Sequence, residues 1–355
     1  MKQSVVVPGV FPLERGGTLS DVTVAVRTWG KRRHTATLIC HALTGDADAD
    51  IWWRELFGAG RLFDPAETFI VSMNVLGGCG GTTGPTSNGL GASFPRVTIR
   101  DMVQVQKAVL AQLGVNELNL VIGGSMGGMQ VLEWAVMYPS FVSAIIPIGV
   151  GSSQSAWAIG ISEAQRNAII TDPAFLDGRY DTTEQPTNGL ATARMIAMCS
   201  YRSPTSFEER FGRDANDGAF AIQTYLQHHG RELAGRFDAN TYLTLLDAMD
   251  SHDLGRRRGP RDAILNRIAP RTLVIGMSTD VLYPVSETRA MADSIPDAAF
   301  AELDSPNGHD SFLIDTDQLS SIVTRFLEES RPRPTFRGDK RAQQVRGACE
   351  PASLE

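Results

Sequence analysis

The chain has 355 residues, 42% hydrophobic and 21% charged, enough apolar material for a large buried core in one big domain or one domain with an insertion. That balance excludes a disordered chain and a disulfide-stapled miniprotein. The formal net charge is −7, which argues against a nucleic-acid partner but permits a local basic pocket for one phosphorylated ligand.

Near the amino-terminus stand one lysine, Lys2, and the apolar run Val5 to Val7, cut by Pro8, so no signal peptide is expected. Strands are predicted at Val22 to Thr28, Thr37 to His41, Phe69 to Asn74, Asn119 to Ile122 and Ser143 to Gly149. They alternate with amphipathic stretches, the rhythm of a mostly parallel sheet covered by helices. Thr98 to Leu113 carries Ile99, Met102, Val103, Val109, Leu110 and Leu113 at helical spacing.

The longest uncharged stretch, from Trp134, is broken by Pro139, Pro147, Gly149 and Gly151. It suits a buried strand and loop, not a membrane helix. From about 152 to 265 the texture is helical, without a convincing strand; Leu233, Phe237, Tyr242, Leu245 and Met249 recur at helical spacing. Strand texture returns at Thr272 to Gly276 and Ala299 to Leu303, and a last helix is expected from about Thr316 to Glu329. Residues 1–151 and 266–330 should therefore form one sheet domain, with 152–265 inserted as a helical lid. Residues 331–355, rich in arginine and poor in large apolar groups, are expected to be a mobile tail.

Cys40, Cys79, Cys199 and Cys349 are scattered without a CxxC pair. This fits a reducing cytoplasm and argues against a zinc site; no metal is expected.

The chemistry concentrates at NLVIGGSMGGMQVL, residues 119 to 132, an apolar strand running through Gly-x-Ser-x-Gly into a helical stretch. A nucleophile elbow needs that setting, because the serine sits on a strained turn and small neighbours let strand and helix approach. Ser125 is thus the candidate nucleophile. No lysine follows the glycines, so a phosphate loop is excluded, and the glycine spacing does not fit a dinucleotide fingerprint here or at residues 77 to 85.

Ser125 requires a base. His34 precedes a strand in a basic turn, His228 and His229 are expected to end a lid helix, and His252 to end another; such histidines are usually solvated or capping. His41 closes the second predicted strand, where an oxyanion loop belongs, and reads as structural. His309 follows the last predicted strand and comes after the acid candidate Asp280, giving the α/β-hydrolase order Ser, Asp, His. Asp304, the other acid candidate, is too close in sequence to His309 to occupy the preceding strand's loop. The backbone N–H groups of Met126 and Leu43 are the expected oxyanion donors.

Seven stretches then bear a more specific likeness: CHALTGDA (40 to 47), NVLGGCGGTTGP (74 to 85), FPRVTIRDMV (94 to 103), GGSMGGMQVLEWA (123 to 135), ARMIAMCSYRSPTSFEERFGR (193 to 213), FDANTYL (237 to 243) and GHDSFL (308 to 313). Together they resemble the homoserine O-acetyltransferase family over nearly the whole chain to about residue 330, lid included. The resemblance implies an α/β-hydrolase fold, a mostly parallel doubly wound sheet with a helical lid. It also implies acetyl transfer from acetyl-CoA to the hydroxyl of L-homoserine through an acyl-serine in methionine biosynthesis, with no tightly bound cofactor. Ser125 would carry the acyl group, His309 would act as base and Asp280 would orient it.

By the same resemblance Arg194 would grip the acceptor carboxylate with Tyr201 nearby, and Asp310 would meet the acceptor ammonium. Arg194 and Tyr201 are seven apart in a helical stretch and so share a face. A homodimer through lid helices is implied as well. Two departures stand out. Asp48 occupies a position where many members have histidine, and the segment from Thr86 to Phe94 is shorter than usual. Serine as acceptor, succinyl-CoA as donor, or water as acceptor in a serine esterase are the competing readings, together with a catalytically dead binding protein of this fold.

Overall fold

The computed structural model describes residues 1–181, 183–216 and 218–329. The tail expected beyond Arg331 lies outside them. In chain order the strands are β1 (Lys2–Pro12), β2 (Thr18–Trp29), β3 (Thr35–Cys40), β4 (Ile70–Met73), β5 (Glu117–Gly124), β6 (Ala144–Ile148), β7 (Ala215–Asn216), β8 (Ala219–Phe220), β9 (Arg271–Met277) and β10 (Ala299–Leu303). The helices are α1 (Ala49–Trp52), α2 (Ile99–Gln112), α3 (Met126–Met137), α4 (Ala156–Ile170), α5 (Thr187–Tyr201), α6 (Pro204–Phe211), α7 (Ala221–Ala234), α8 (Ala239–Asp250), α9 (Arg261–Leu265), α10 (Val285–Asp293), α11 (Ser311–Ile314) and α12 (Thr316–Glu329).

Eight strands form one sheet in the order β1-β2-β4-β3-β5-β6-β9-β10. The β1–β2 and β2–β4 pairs are antiparallel and the others parallel. The central parallel strands are buried on both faces, which is why they read as continuous apolar runs. Along β6, Ile145 joins one core cluster while Ala144, Ile146 and Ile148 join the cluster on the opposite face. Helix α2 starts where the sequence indicates, with a capping box between Thr98 and Asp101.

Strand β1 was not foreseen, because Pro8 interrupts its apolar run. It is an edge strand whose register with β2 shifts between Val7 and Val10. A proline without an N–H is tolerated at such an edge bulge, and Val5 and Val7, on one face of the strand, still pack against the core.

Between β6 and β9 the chain is helical, as expected, apart from the two-residue hairpin β7–β8, which corrects the reading of no strand there. Its two ends run side by side at a neck. Ser153 and Asp253 form an antiparallel bridge, Gln154 N donates to the His252 carbonyl (2.9 Å), and Leu254 N to the Ser152 carbonyl (3.0 Å). The returning strand is held by Arg100 on α2, which donates to the carbonyls of Asp253 and Arg256 (both 2.9 Å). Arg100 is itself paired with Glu133 on α3 (2.9 Å) and Glu14 (2.8 Å). A buried guanidinium is stable there because two carboxylates face it. Nothing in the linear pattern marked this cluster.

Two further expectations need correction. His228 and His229 lie within α7, not at its end, and His252 beyond α8 is fully buried, not solvated or capping. Among the described residues, no helix is long and apolar enough to cross a membrane.

Candidate active site

Strand β5 ends at Gly124 and α3 begins at Met126, so Ser125 alone makes the turn. Its backbone has φ 57° and ψ −125°, a conformation costing a non-glycine residue on the order of 1–3 kcal/mol. The turn is held by bonds from Ser125 N to the Ile148 carbonyl (2.9 Å) and from Met129 N to the Ser125 carbonyl (3.1 Å). It is also too crowded for larger neighbours: a Cβ on Gly123 would lie 2.6 Å from the Cys40 carbonyl oxygen. Ser125 is 5% exposed.

Met126 is the first residue of α3, where a backbone N–H has no carbonyl within the helix to bond. Leu43 stands in the loop after β3, braced by a bond from Gly45 N to the Ala42 carbonyl (2.9 Å). His41 sits under this loop and is committed to it. Its Nδ1 lies 2.8 Å from the Ala42 carbonyl, and Nε2 accepts from Val75 N at 3.1 Å. Those two bonds require the neutral Nδ1–H tautomer, and burial likewise lowers the pKa of this ring.

Asp280 follows β9 and is fully buried. One carboxylate oxygen accepts from Leu282 N (2.8 Å) and Tyr283 N (2.9 Å); the other lies 2.7 Å from His309 Nδ1. His309 is 3% exposed, and its Nε2 has no hydrogen-bond partner among the described residues. Burial opposes protonation of this ring, but the Asp280 carboxylate and its hydrogen bond, with Asp310 adding to them, raise the pKa above the ordinary histidine value. Asp304 is elsewhere, accepting from Ser278 Oγ at 3.2 Å.

The loop carrying His309 fits its surroundings closely. Gly308 has φ +68°, and a Cβ there would lie 2.6 Å from Ser203 N. Gly308 N donates to Thr279 Oγ1 (3.0 Å), and Arg202 donates to Asn307 Oδ1 (3.1 Å). The helical insertion therefore touches the loop directly. Arg202, Asn307 and Thr279 were not singled out from sequence, since each acts by shape and backbone bonding, which leave no spacing signal.

Ser125, His309, Leu43, Arg194, Tyr201 and Asp310 line one cavity of about 60 Å³, with Phe312 and Leu313 among its apolar walls. The Arg194 guanidinium lies 5.3 Å over the Tyr201 ring, both on α5 as their spacing requires. Burial raises the pKa of Asp310, against the opposing influence of Arg194, His309 and Arg202. Larger hollows of about 530 and 520 Å³ exist, but neither is lined by Ser125, Asp280 or His309. Asp48, at the departure from the family pattern, pairs with Lys2 (2.9 Å) and Arg27 (3.4 Å).

The arrangement has parts suited to acyl transfer: a strained serine, a histidine backed by a buried carboxylate, and a cation and an anion lining the same cavity. Comparison with known proteins agrees in kind. The profile of the alpha/beta hydrolase fold matches residues 36–316. A homoserine O-acetyltransferase of Trichormus variabilis is 53% identical over 332 residues, covering 90% of this chain and 92% of that protein. Esterase E22 superposes with a TM-score of 0.84 at 26% identity, covering 92% of this chain and 99% of the esterase. A homoserine O-acetyltransferase of Bacillus anthracis superposes with a TM-score of 0.85 over 92% of this chain and 97% of its own, and at 23% identity speaks for the fold alone.

Proposed function

The chain belongs to the homoserine O-acetyltransferase family of the α/β-hydrolase fold, and on that premise we propose that it moves an acetyl group from acetyl-CoA to the hydroxyl of L-homoserine through an acetyl-Ser125 intermediate. The observation that carries this reading is the meeting of Ser125 and the His309–Asp280 pair with Arg194, Tyr201 and Asp310 in one small cavity. A plain esterase has no need of a guanidinium and a carboxylate beside its nucleophile.

In the first half-reaction His309 Nε2 takes the Ser125 hydroxyl proton as Oγ attacks the thioester carbonyl. The N–H groups of Leu43 and Met126 receive the developing oxyanion, worth roughly 3 kcal/mol per donor. Collapse breaks the C–S bond, His309 returns the proton to sulfur, and CoA leaves as the thiol. In the second half-reaction His309 deprotonates the acceptor hydroxyl, which attacks the acyl carbon; the bond to Oγ breaks and the proton returns to Ser125. Asp280 fixes the tautomer and balances the imidazolium in both halves.

Arg194 would hold the acceptor carboxylate and Asp310 its ammonium, so that the acceptor hydroxyl, not water, reaches the acyl-serine. The 53% identity to a homoserine O-acetyltransferase supports an acetyl over a succinyl group.

We infer further that residues 152–265 act as a lid on a core formed by 1–151 and 266–330. Pairing with a second copy through the lid is what the family resemblance implies, and exposed apolar side chains on that lid, Ile170, Leu176 and Phe220 among them, are available to it. The free thiols of Cys40, Cys79 and Cys199 suit the cytoplasm.

The hydrolase reading draws on the likeness to esterase E22. One assay separates the two: CoA release measured with acetyl-CoA or succinyl-CoA, each with homoserine, serine or no acceptor. Release sustained only by acetyl-CoA with homoserine supports the transferase. Equal rates without any acceptor would establish a hydrolase, and a serine preference would reassign the acceptor.

A further inference from the structure

Three aromatic rings pack around His309, among them Phe312 at 5.9 Å edge-on. Tyr201, from the lid helix α5, has its ring centre 5.8 Å away, and Tyr283, from the loop after β9, lies at 5.3 Å. Tyr201 belongs to the acceptor site proposed above. Tyr283 does not line the cavity and has no part in the steps so far described.

Tyr283 is fully buried, and its position is fixed at both ends. Its backbone N–H bonds the same Asp280 carboxylate that orients His309 (2.9 Å), and its hydroxyl donates to Gln154 Oε1 (2.8 Å). Gln154 is a residue of the lid's neck, bonded through its own N–H to the His252 carbonyl. A second tie joins the two regions, from Trp157 Nε1 on α4 to the Val281 carbonyl (2.7 Å). The loop that holds the acid is therefore bolted to the base of the lid.

We propose that Tyr283 is a positioning residue for His309, held by Gln154, through which the lid's neck sets the orientation of the catalytic imidazole. The inference rests on the assignment of His309 as base. The physical reason is geometric. A single hydrogen bond to Asp280 fixes one end of the imidazole only, and the Tyr283 ring, centred 5.3 Å away and tilted by 36°, narrows the range over which the other end can swing. The hydroxyl–amide bond in turn prevents the tyrosine ring from sliding away. Since His309 serves both half-reactions, loosening the ring should slow both without altering the grip on either substrate.

The test is a double-mutant cycle in the full chain, with Tyr283→Phe, Gln154→Ala and the pair together. Acetyl-Ser125 stoichiometry counts competent sites and thermal unfolding checks the fold. Each single change is expected to lower kcat roughly tenfold with KM for acetyl-CoA and homoserine unchanged. The pair should be no slower than either single change, because both remove the same bond. Multiplying effects, a change confined to KM, or an unaltered kcat would overturn the proposal. His309→Ala separates this failure from that of its premise. An inactive His309→Ala beside an unaltered Tyr283→Phe rejects the role of Tyr283 alone, whereas retained activity in His309→Ala rejects the base itself.

Discussion

The carboxyl edge of the sheet and the neck of the helical insertion each bury a histidine, and the two are opposite in character. His309 faces the carboxylate of Asp280 at 2.7 Å and has its pKa raised. His252, at the neck, is as deeply buried with no carboxylate hydrogen-bonded to its ring; burial pushes its pKa down to about 3, the Gly151 backbone and Asp253 offsetting this only in part while Arg100 and Arg256 add to it. Burial acts on both rings in the same direction. The partner decides the outcome, so one ring is tuned to move a proton and the other to stay neutral.

Removing the partner should erase that difference. Asp280→Asn leaves His309 buried, without a balancing charge and without the acceptor that fixes its tautomer. A loss in kcat of roughly 10³–10⁴-fold is expected. The acid limb of the pH–rate profile, which should lie above the ordinary histidine value in the native protein because the base must be neutral, should move to lower pH. An unmoved limb would mean that another group is being titrated.

The neck histidine makes a smaller, purely structural prediction. Its folded-state pKa lies below its unfolded value, so the unfolded chain binds the extra proton. The stability it lends is complete above about pH 6.5 and is lost progressively as pH falls towards about 3, a term on the order of several kcal/mol. Denaturant unfolding between pH 7 and pH 5 should show this ring adding a downward slope to stability as pH falls, with His41 acting in the same direction and His309 and Asp310, whose pKa values are raised, acting against it. His252→Leu should flatten that slope; an equal slope in the variant would show that the ring does not carry the dependence.

The same contrast explains what could be read in advance. The elbow was legible because its chemistry demands residue types at fixed spacing: a serine between small residues, after an apolar strand and before a helix. Asp280 and His309 were legible through chain order and their positions after strands. Arg194 and Tyr201 were legible through the family resemblance, helical spacing adding only that they share a face. The neck left no such trace. Arg100, Glu133 and Glu14 meet from distant segments, and Gln154 meets Tyr283 only because the insertion folds back on itself. His252 looked like a helix-end residue, since burial by tertiary packing has no local signature. Strand β1 was missed because Pro8 is a breaker everywhere except at the edge bulge it occupies.

The central claim is that Ser125 holds the acyl group and that an amino acid, not water, takes it away. Quenching the protein with acetyl-CoA alone and mapping the modified peptide by mass spectrometry tests it directly. The expected result is one acetyl group on Ser125, persisting in buffer and discharged at once on adding homoserine. An unmodified Ser125, or an adduct lost equally fast with and without homoserine, would contradict it.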